Sequence, residues 1–238
     1  MTTSPISRLL IDCKSEILAA LPGILEKRFQ FSFKPDNSPV TQSDVLIENL
    51  IIAFFKKWDP DIQVIAEESF RNHSPLPSGR ILVIDPIDGT ENFLSGLKEW
   101  GVSVTVWNQG LHEGSMLLLP ELGEAIISGE PVSRFNSRIT GFSSSFNEAI
   151  ADGIRSAAEY RVTGCAVYNL FCVITGRFHR FVNPKGAYIW DLLPGIMLAL
   201  EHGCLVNLNE QSFDGTHFLD PTCRYRVDIT NPNSILKV

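Results

Sequence analysis

The run Asp85-Pro86-Ile87-Asp88-Gly89-Thr90-Glu91-Asn92-Phe93 sets two carboxylates three residues apart and follows them with a glycine and a hydroxyl residue. The stretch before it, Arg80-Ile81-Leu82-Val83-Ile84, reads as a strand that delivers Asp85 at its C-terminal end, where open α/β sheets place ligands. Pro86 fixes φ, a tight turn returns Asp88 to the same side, and Gly89-Thr90 offers backbone N–H groups at the start of a short helix. Two acids followed by free amides make a cation site beside an anion site, the combination that a metal-bound phosphate requires. The plainer alternative is that Asp-Pro and Asp-Gly are ordinary turn chemistry. A second apolar run, Val64-Ile65-Ala66, ends in Glu67-Glu68-Ser69, so two neighbouring strand ends could aim Glu67 and Asp85 at one point. Unpaired carboxylates about 4 Å apart repel by roughly 4 kcal/mol at an effective dielectric of about 20. Such a cluster is unfavourable without bound protons or a divalent cation. With oxygen ligands only, the natural ion is Mg²⁺, with Mn²⁺ its usual surrogate.

Two further acids stand where helices begin. Asp191 precedes the helical stripe Leu192, Leu193, Ile196, Leu200, where Asp is an ordinary N-cap. Thr41 and Asp44 have capping-box spacing before a second helix. The elements that must position these groups follow from hydrophobic period. Residues 6–29 and 42–57 read as helices, the first kinked or ended by Pro22-Gly23, with the turn-rich loop FKPDNSP between them. Gln63–Ala66 and Arg80–Ile84 read as strands buried on both faces, and Val102, Val104 and Val106 alternate as in a half-buried strand. His112–Leu119 and Glu124–Ser128 flank Pro120-Glu121-Leu122-Gly123 as a hairpin. The second half reads as a strand near 139–144, a helix near 148–160, a helix near 165–176, a strand near 178–182, the helix 191–202 and a strand near 204–208. No long linker or repeat interrupts the order, which implies one compact unit of two halves, 1–130 and 131–238, with helices and strands in layers.

Composition narrows the class. The chain has 238 residues, 44% of them hydrophobic, with 15 Phe and 4 Trp, which excludes intrinsic disorder. A net charge of −7 argues against non-specific nucleic-acid binding but not against an anionic substrate, because a bound metal reverses the local field. Five cysteines (Cys13, Cys165, Cys172, Cys204, Cys223) with no C-x-x-C pair read as small buried thiols in a reducing compartment. Charges interrupt every apolar run near the start, and no segment reaches the roughly 20 apolar residues of a membrane span, so a soluble cytoplasmic protein is expected. His73, His112, His179, His202 and His217 lack any paired metal-ligand spacing. Lys98, Arg177, Arg180 and Lys185 read as solvated charge, with Arg180 and Lys185 the two that could meet a substrate. No histidine-containing signature accompanies Cys165, which argues against covalent cysteine catalysis.

Four blocks in order, Val40-Thr41-Gln42-Ser43-Asp44, Ala66-Glu67-Glu68-Ser69, Asp85 through Phe93, and Trp190-Asp191, resemble the inositol monophosphatase family of Mg²⁺-dependent, Li⁺-sensitive sugar phosphatases. With the surrounding element order the resemblance covers nearly the whole chain, and its nine-residue third block is the most specific part. It implies an α-β-α-β-α layered α/β fold with metals at the junction of the halves, and a homodimer. Carried over by position, Glu67, Asp85 and the carbonyl of Ile87 hold one Mg²⁺, while Asp85, Asp88 and Asp191 hold a second. A third, looser ion shares Glu67. The resemblance places phosphate on the amides of Gly89 and Thr90, substrate against Gly164-Cys165-Ala166 as well as Asp88 and Asp191, and Asp44 with Thr90 near an attacking water oriented by Glu67.

The resemblance therefore implies hydrolysis of a small polyol phosphate, such as inositol monophosphate, by metal-activated water. Three departures bear on the substrate. Leu192-Leu193-Pro194-Gly195 stands where the family has small residues, and Gly203-Cys204 replaces a glycine pair. The segment Phe181-Val182-Asn183-Pro184-Lys185-Gly186 lacks the acid with which inositol-specific members hold substrate hydroxyls, Asn183 being only a loose counterpart. Histidinol phosphate, fructose 1,6-bisphosphate and 3′-phosphoadenosine 5′-phosphate are alternatives, although the Thr-Glu-Asn-Phe ending leans towards inositol-type members. A regulatory binding protein with vestigial activity is the alternative from another class, and the intact acid set argues against it.

Overall fold

The computed structural model describes residues 4–35, 37–70, 79–234 and 236, and each structural count or absence refers to those residues; His73 lies outside them. Helix α1 (Pro5–Glu26) is capped by Ser4, whose hydroxyl accepts from the Ser7 amide, and it runs through Pro22 for one further turn rather than ending there. Strands β1 (Phe31–Phe33) and β2 (Pro39–Thr41) pair antiparallel, so the expected loop is the tip of a small hairpin. Helix α2 (Gln42–Trp58) follows, and the Thr41–Asp44 capping box forms as the spacing predicts.

The first large sheet has the order β3-β4-β5-β6-β7, from β3 (Gln63–Ala66), β4 (Arg80–Asp88), β5 (Gly101–Asn108), β6 (Leu111–Leu119) and β7 (Glu124–Ile127). Only β3 and β4 are parallel, and the short helix α3 (Thr90–Leu94) follows β4 directly. The second half contributes β8 (Ile139–Phe142), α4 (Glu148–Ser156), β9 (Glu159–Val162), α5 (Ala166–Thr175), β10 (Arg180–Ala187), α6 (Ile189–Glu201), β11 (Leu205–Leu208), β12 (Gln211–Ser212) and β13 (Tyr225–Thr230). Its sheet runs β12-β11-β13-β10-β8-β9. The helix expected over 148–160 stops at Ser156, and Glu159–Val162 instead forms an edge strand parallel to β8. The strand expected over 178–182 is longer, running from Arg180 to Ala187, and β13 at the centre of this sheet was not anticipated.

Strand β4 is apolar on both faces because both faces are covered. Leu82 and Ile84 join Leu10, Ile17, Ile47 and Ile51 of α1 and α2, while Ile81 and Val83 join Leu170, Val173, Leu193 and Ile196 of α5 and α6. Helices α5 and α6 also touch the second sheet through β10 and β11, and α4 packs on the outer side of β10. The layers are therefore α-β-α-β-α, as the resemblance implies. Full burial of each of these aliphatic side chains contributes roughly 1.5–3 kcal/mol, so the middle helical layer, buried on two sides, dominates cohesion. No described helix is long and apolar enough to cross a membrane.

The seam between the halves is packed at Gly101, where an added Cβ would stand 2.4 Å from Val167 Cγ1 and 3.0 Å from the Leu118 carbonyl oxygen. Gly101→Ala should destabilise the fold by about 1–3 kcal/mol through overpacking, at roughly 2–4 °C of melting temperature per kcal/mol for a chain of this size. A melting curve superimposable on that of the unaltered protein would show that the seam yields freely.

Candidate active site

The site begins with strand register. Ala66 pairs with Ile84 across the parallel β3/β4 ladder, and the Glu67 amide donates to the Ile84 carbonyl at 3.3 Å, so Glu67 emerges beside Asp85. Strand β4 does not end there. Asp85 pairs with Ser103 and Asp88 with Gly101, so three steps on β4 match two on β5, which is a one-residue bulge. Side chains alternate faces along a strand, and residues three apart would ordinarily point oppositely. The bulge, placed at Pro86 where no ladder donor exists, restores Asp88 to the face of Asp85. The expected tight turn is thus a bulge within a continuing strand.

The third carboxylate comes from α6. Asp191 is not the N-cap but lies three residues inside: Tyr188 caps the helix, and Asp191 Oδ2 accepts from the Tyr188 amide at 2.9 Å. Pro194 has no N–H for the carbonyl four residues earlier, that of Trp190, and the buried Ser103 hydroxyl donates to this carbonyl instead, at 2.7 Å. Ser103 faces Asp85 across the β4/β5 ladder, so one hydroxyl ties the first turn of α6 to the strand paired with the one carrying Asp85. Oxygens of Glu67, Asp85 and Asp191 consequently lie within 4.8 Å of one another.

Burial makes this arrangement costly. Asp85 is wholly buried and neither of its carboxylate oxygens has a hydrogen-bond partner. Desolvation, then the charges of Glu67, Asp88 and Asp191, push its pKa far above the usual range. Asp191 is raised likewise, by burial first and then by Asp88 and Glu67. Asp88 is pushed up to about 6 by burial, held back by donors at the start of α5: the Val167 amide and the Cys165 thiol, the latter 3.0 Å from Asp88 Oδ2. Three carboxylates with so few donors, all offering oxygen, fit a hard divalent cation.

Around this centre the structure places the other expected residues. Asp44 Oδ2 accepts from Thr41 N at 2.7 Å and Thr41 Oγ1 at 2.5 Å, while its Oδ1 is buried with no partner. The cap thus uses half of the carboxylate, and burial raises Asp44 to about 6. The Thr90 hydroxyl donates to the Ile87 carbonyl at 3.0 Å rather than to Asp44. Gly89 precedes α3 with φ of 82°, and an added Cβ would come within 2.9 Å of Cys165 Cβ, so no larger residue fits this turn. Cys165 caps α5, its sulfur accepting from the Tyr168 amide at 3.2 Å, and burial and Asp88 raise its pKa well above normal, so it stays a thiol. Gly164, Cys165, Ala166, Asp88 and Asp191 border one cleft of about 140 Å³.

Other expectations need correction. Arg180 is paired with Asp228, Arg177 with Glu124, and Lys185 is exposed and does not line the cleft. Cys223 is exposed, unlike the four other thiols. Sequence reasoning missed Lys34, which bridges Glu67 at 2.9 Å and Glu68 at 2.8 Å. It also missed Ser103, and Asn92, whose amide donates to Glu99 O at 2.7 Å and Thr163 O at 2.6 Å and so fastens the central motif to the cleft loop. Of these, only the gap that Pro194 leaves at the Trp190 carbonyl was accessible from sequence, and not the hydroxyl that fills it.

Residues 8–227 match the family model described as the inositol monophosphatase family. Among curated relatives, "Nus factor SuhB" of Pasteurella multocida is 27% identical over 211 residues, covering 79% of this chain and 77% of its own. The "Fructose-1,6-bisphosphatase/inositol-1-monophosphatase" of Thermotoga maritima is 27% identical over 191 residues, 70% of each chain. A solved "IMPase/NADP phosphatase complexed with NADP and Ca2+" superposes with a TM-score of 0.80 at 19% identity, covering 98% of this chain and 92% of the other, and so shares the fold.

The raised carboxylates set a direction for pH. In the unfolded chain Asp44 and Asp88 titrate near 3.8 and Glu68 near 4.5, whereas in the fold they titrate near 6, 6 and 7. Their contribution is fully present below the lower values and is lost as pH rises through the higher ones. Protein stripped of divalent ions should therefore melt at a lower temperature at pH 8 than at pH 5.5, by more than about 3 °C. A midpoint that climbs across this interval would contradict the assigned burial of these acids.

Proposed function

This chain belongs to the inositol monophosphatase family, and on that premise we propose that it is a Mg²⁺-dependent phosphomonoesterase acting on a small polyol phosphate, inositol monophosphate being the type. The observation that carries the reading is the Glu67, Asp85, Asp191 triad, in which Asp85 is buried with both oxygens unpartnered. Those three carboxylates, with Asp88 and the Ile87 carbonyl, are the groups that would hold the metal. A divalent cation bound there supplies Lewis acidity, making water nucleophilic near neutral pH and stabilising the departing oxygen.

The chain's own residues do the positioning. Glu67 orients the attacking water, and Asp44 keeps Oδ1 available for its proton while Oδ2 holds the helix cap. The Thr90 hydroxyl, donating to the Ile87 carbonyl, fixes the turn that presents the Gly89 and Thr90 amides. The amides of Gly89 and Thr90 receive the phosphoryl oxygens, where fixed dipoles need no reorganisation as charge develops. No covalent intermediate is required, since Cys165 is a protonated thiol engaged by Asp88. The cleft of about 140 Å³ supports a small substrate, being well below the roughly 300–1,000 Å³ of sites that enclose drug-sized ligands. The names of the Thermotoga maritima relative support the same class. A regulatory role with vestigial activity has less behind it, because every acid of the set is present.

Phosphate release from small phosphomonoesters should require Mg²⁺ and be inhibited by submolar Li⁺ and by Ca²⁺. Asp85→Asn should lower turnover more than any other ligand change, because Asp85 would be the ligand common to both ions that the resemblance implies. Full activity in excess chelator, after verified metal removal, would refute the proposal. Saturating Mg²⁺ should also raise the melting temperature of stripped protein by about 5–10 °C, since binding to the folded site at 100 times Kd contributes about 2.7 kcal/mol. That rise should vanish in Asp85→Asn, and a melting curve indifferent to Mg²⁺ would mean that these acids do not form the site.

A further inference from the structure

The cleft carries both signs. Asp88 and Asp191 line it, and so does Arg224, the residue before β13. Arg224 Nη2 donates to the Gly186 carbonyl at 2.8 Å, and the guanidinium carbon lies 4.8 Å from the centroid of the Tyr188 ring. Tyr188 stacks in turn on Trp190, with centroids 4.7 Å apart, immediately before Asp191 in the chain. A hydrogen bond and a cation–π contact therefore hold the guanidinium in place, and most of its five N–H donors remain uncommitted.

What Arg224 lacks is an acid. Arg28, Arg80, Arg177 and Arg180 each meet a carboxylate, whereas no described carboxylate lies within ion-pair distance of Arg224. The bordering segment 181–186 contributes none either. In the same cleft the Ser143 hydroxyl is buried without a partner, and Asn183, 6% exposed, uses Oδ1 on the Gly186 amide. Besides its acids the cleft thus offers a hydroxyl, an amide and one unneutralised guanidinium. Hydroxyl and amide groups suit polyol oxygens. A planar fork of N–H donors suits an oxyanion, with which it forms charge-assisted, often bidentate bonds.

Resting on the phosphatase reading, we propose that Arg224 is the specificity-determining residue of this cleft and binds a second oxyanion on the substrate. The enzyme then favours small polyol phosphates that end in a phosphate or carboxylate over those that end in a hydroxyl. Arg224 is exposed, so its replacement leaves the core intact.

Three probes with one six-carbon skeleton test this: glucitol 6-phosphate, 6-phosphogluconate and glucitol 1,6-bisphosphate, each assayed for phosphate release at saturating Mg²⁺. The unaltered enzyme should favour at least one doubly anionic probe by about tenfold in kcat/KM, expressed in KM, the size expected of one charge-assisted contact. Arg224→Ala should bring the ratio to within about threefold of one, and Arg224→Lys should leave it between, as a point charge without the fork does. Preference for the bisphosphate alone assigns a phosphate to Arg224, and preference for 6-phosphogluconate assigns a carboxylate. Equal kcat/KM for all three probes, or a preference that survives in Arg224→Ala, would overturn the assignment and leave the phosphatase reading standing. Hydrolysis of none of the three, and of inositol monophosphate neither, would overturn both.

Discussion

Everything near the centre of this molecule answers to one constraint: Asp85 is buried, negatively charged when ionised, and surrounded by more acids. Removing a carboxylate from water without a partner is far more costly than any single contact in the fold returns. The surrounding acids add repulsion instead of relief. In the absence of a divalent ion the chain offers only partial remedies. Lys34 reaches Glu67 and Glu68 at the open side, and α5 turns its first amides and the Cys165 thiol to Asp88. None of these donors reaches Asp85. A fold that keeps such a group does so for what binds there, and the hydrophobic layers on both sides of β4 supply the stability that the site withdraws.

The same region joins the two halves of the chain. Ser103 of β5 donates to the Trp190 carbonyl of α6, Asp88 of β4 accepts from the start of α5, and Asn92 after β4 reaches the Thr163 carbonyl. Each of these links has one end within a few residues of a proposed ligand. Pro194 makes the first of them necessary, because the carbonyl it leaves without a helical donor would otherwise be buried and unpaired. The bulky, proline-bearing start of α6, which departs from the family's small residues, is thereby absorbed without displacing Asp191. Joining the halves and assembling the acid cluster are one structural event.

How much of this was legible in the sequence depended on whether the signal was local. Glu67 and Asp85 could be paired in advance because each follows a short apolar run, and neighbouring parallel strands bring their C-terminal ends to one edge of the sheet. The Thr41–Asp44 cap was legible because a capping box is a four-residue pattern. The bulge at Pro86 was not, since a spacing of three between acids points them apart until the partner strand is known. Strand β9 was hidden by a helical period that continues past Ser156 into Tyr160, and only pairing with β8 overrides it. In β13 the alternation of Tyr225, Val227 and Ile229 with Arg226, Asp228 and Thr230 is a local strand signal beyond the last element predicted from the sequence. Arg224 had no local signal, its partner Gly186 lying 38 positions earlier.

These differences separate two kinds of determinant. The metal end of the site is set by backbone: register of β3 on β4, a bulge, and the third residue of α6. Such features depend on short local patterns, which is how they stay legible as motifs in a chain 27% identical to these relatives. The outer wall of the cleft is set by side chains on the second sheet, where β10 and β13 pair across a register shift between Asn183 and Ala187. That shift leaves Gly186 with φ of 83° and the backbone of Tyr225 only 3.1 Å from where its Cβ would stand, so the residue ahead of β13, Arg224, borders the cleft. The position just before Tyr225 is therefore a cleft position. Replacing an acid-bearing wall by one that presents a guanidinium changes the charge of the cleft without moving a single metal ligand. Chemistry and selectivity can therefore vary independently in this architecture, because one is carried by the ladder of the first sheet and the other by an irregularity in the second.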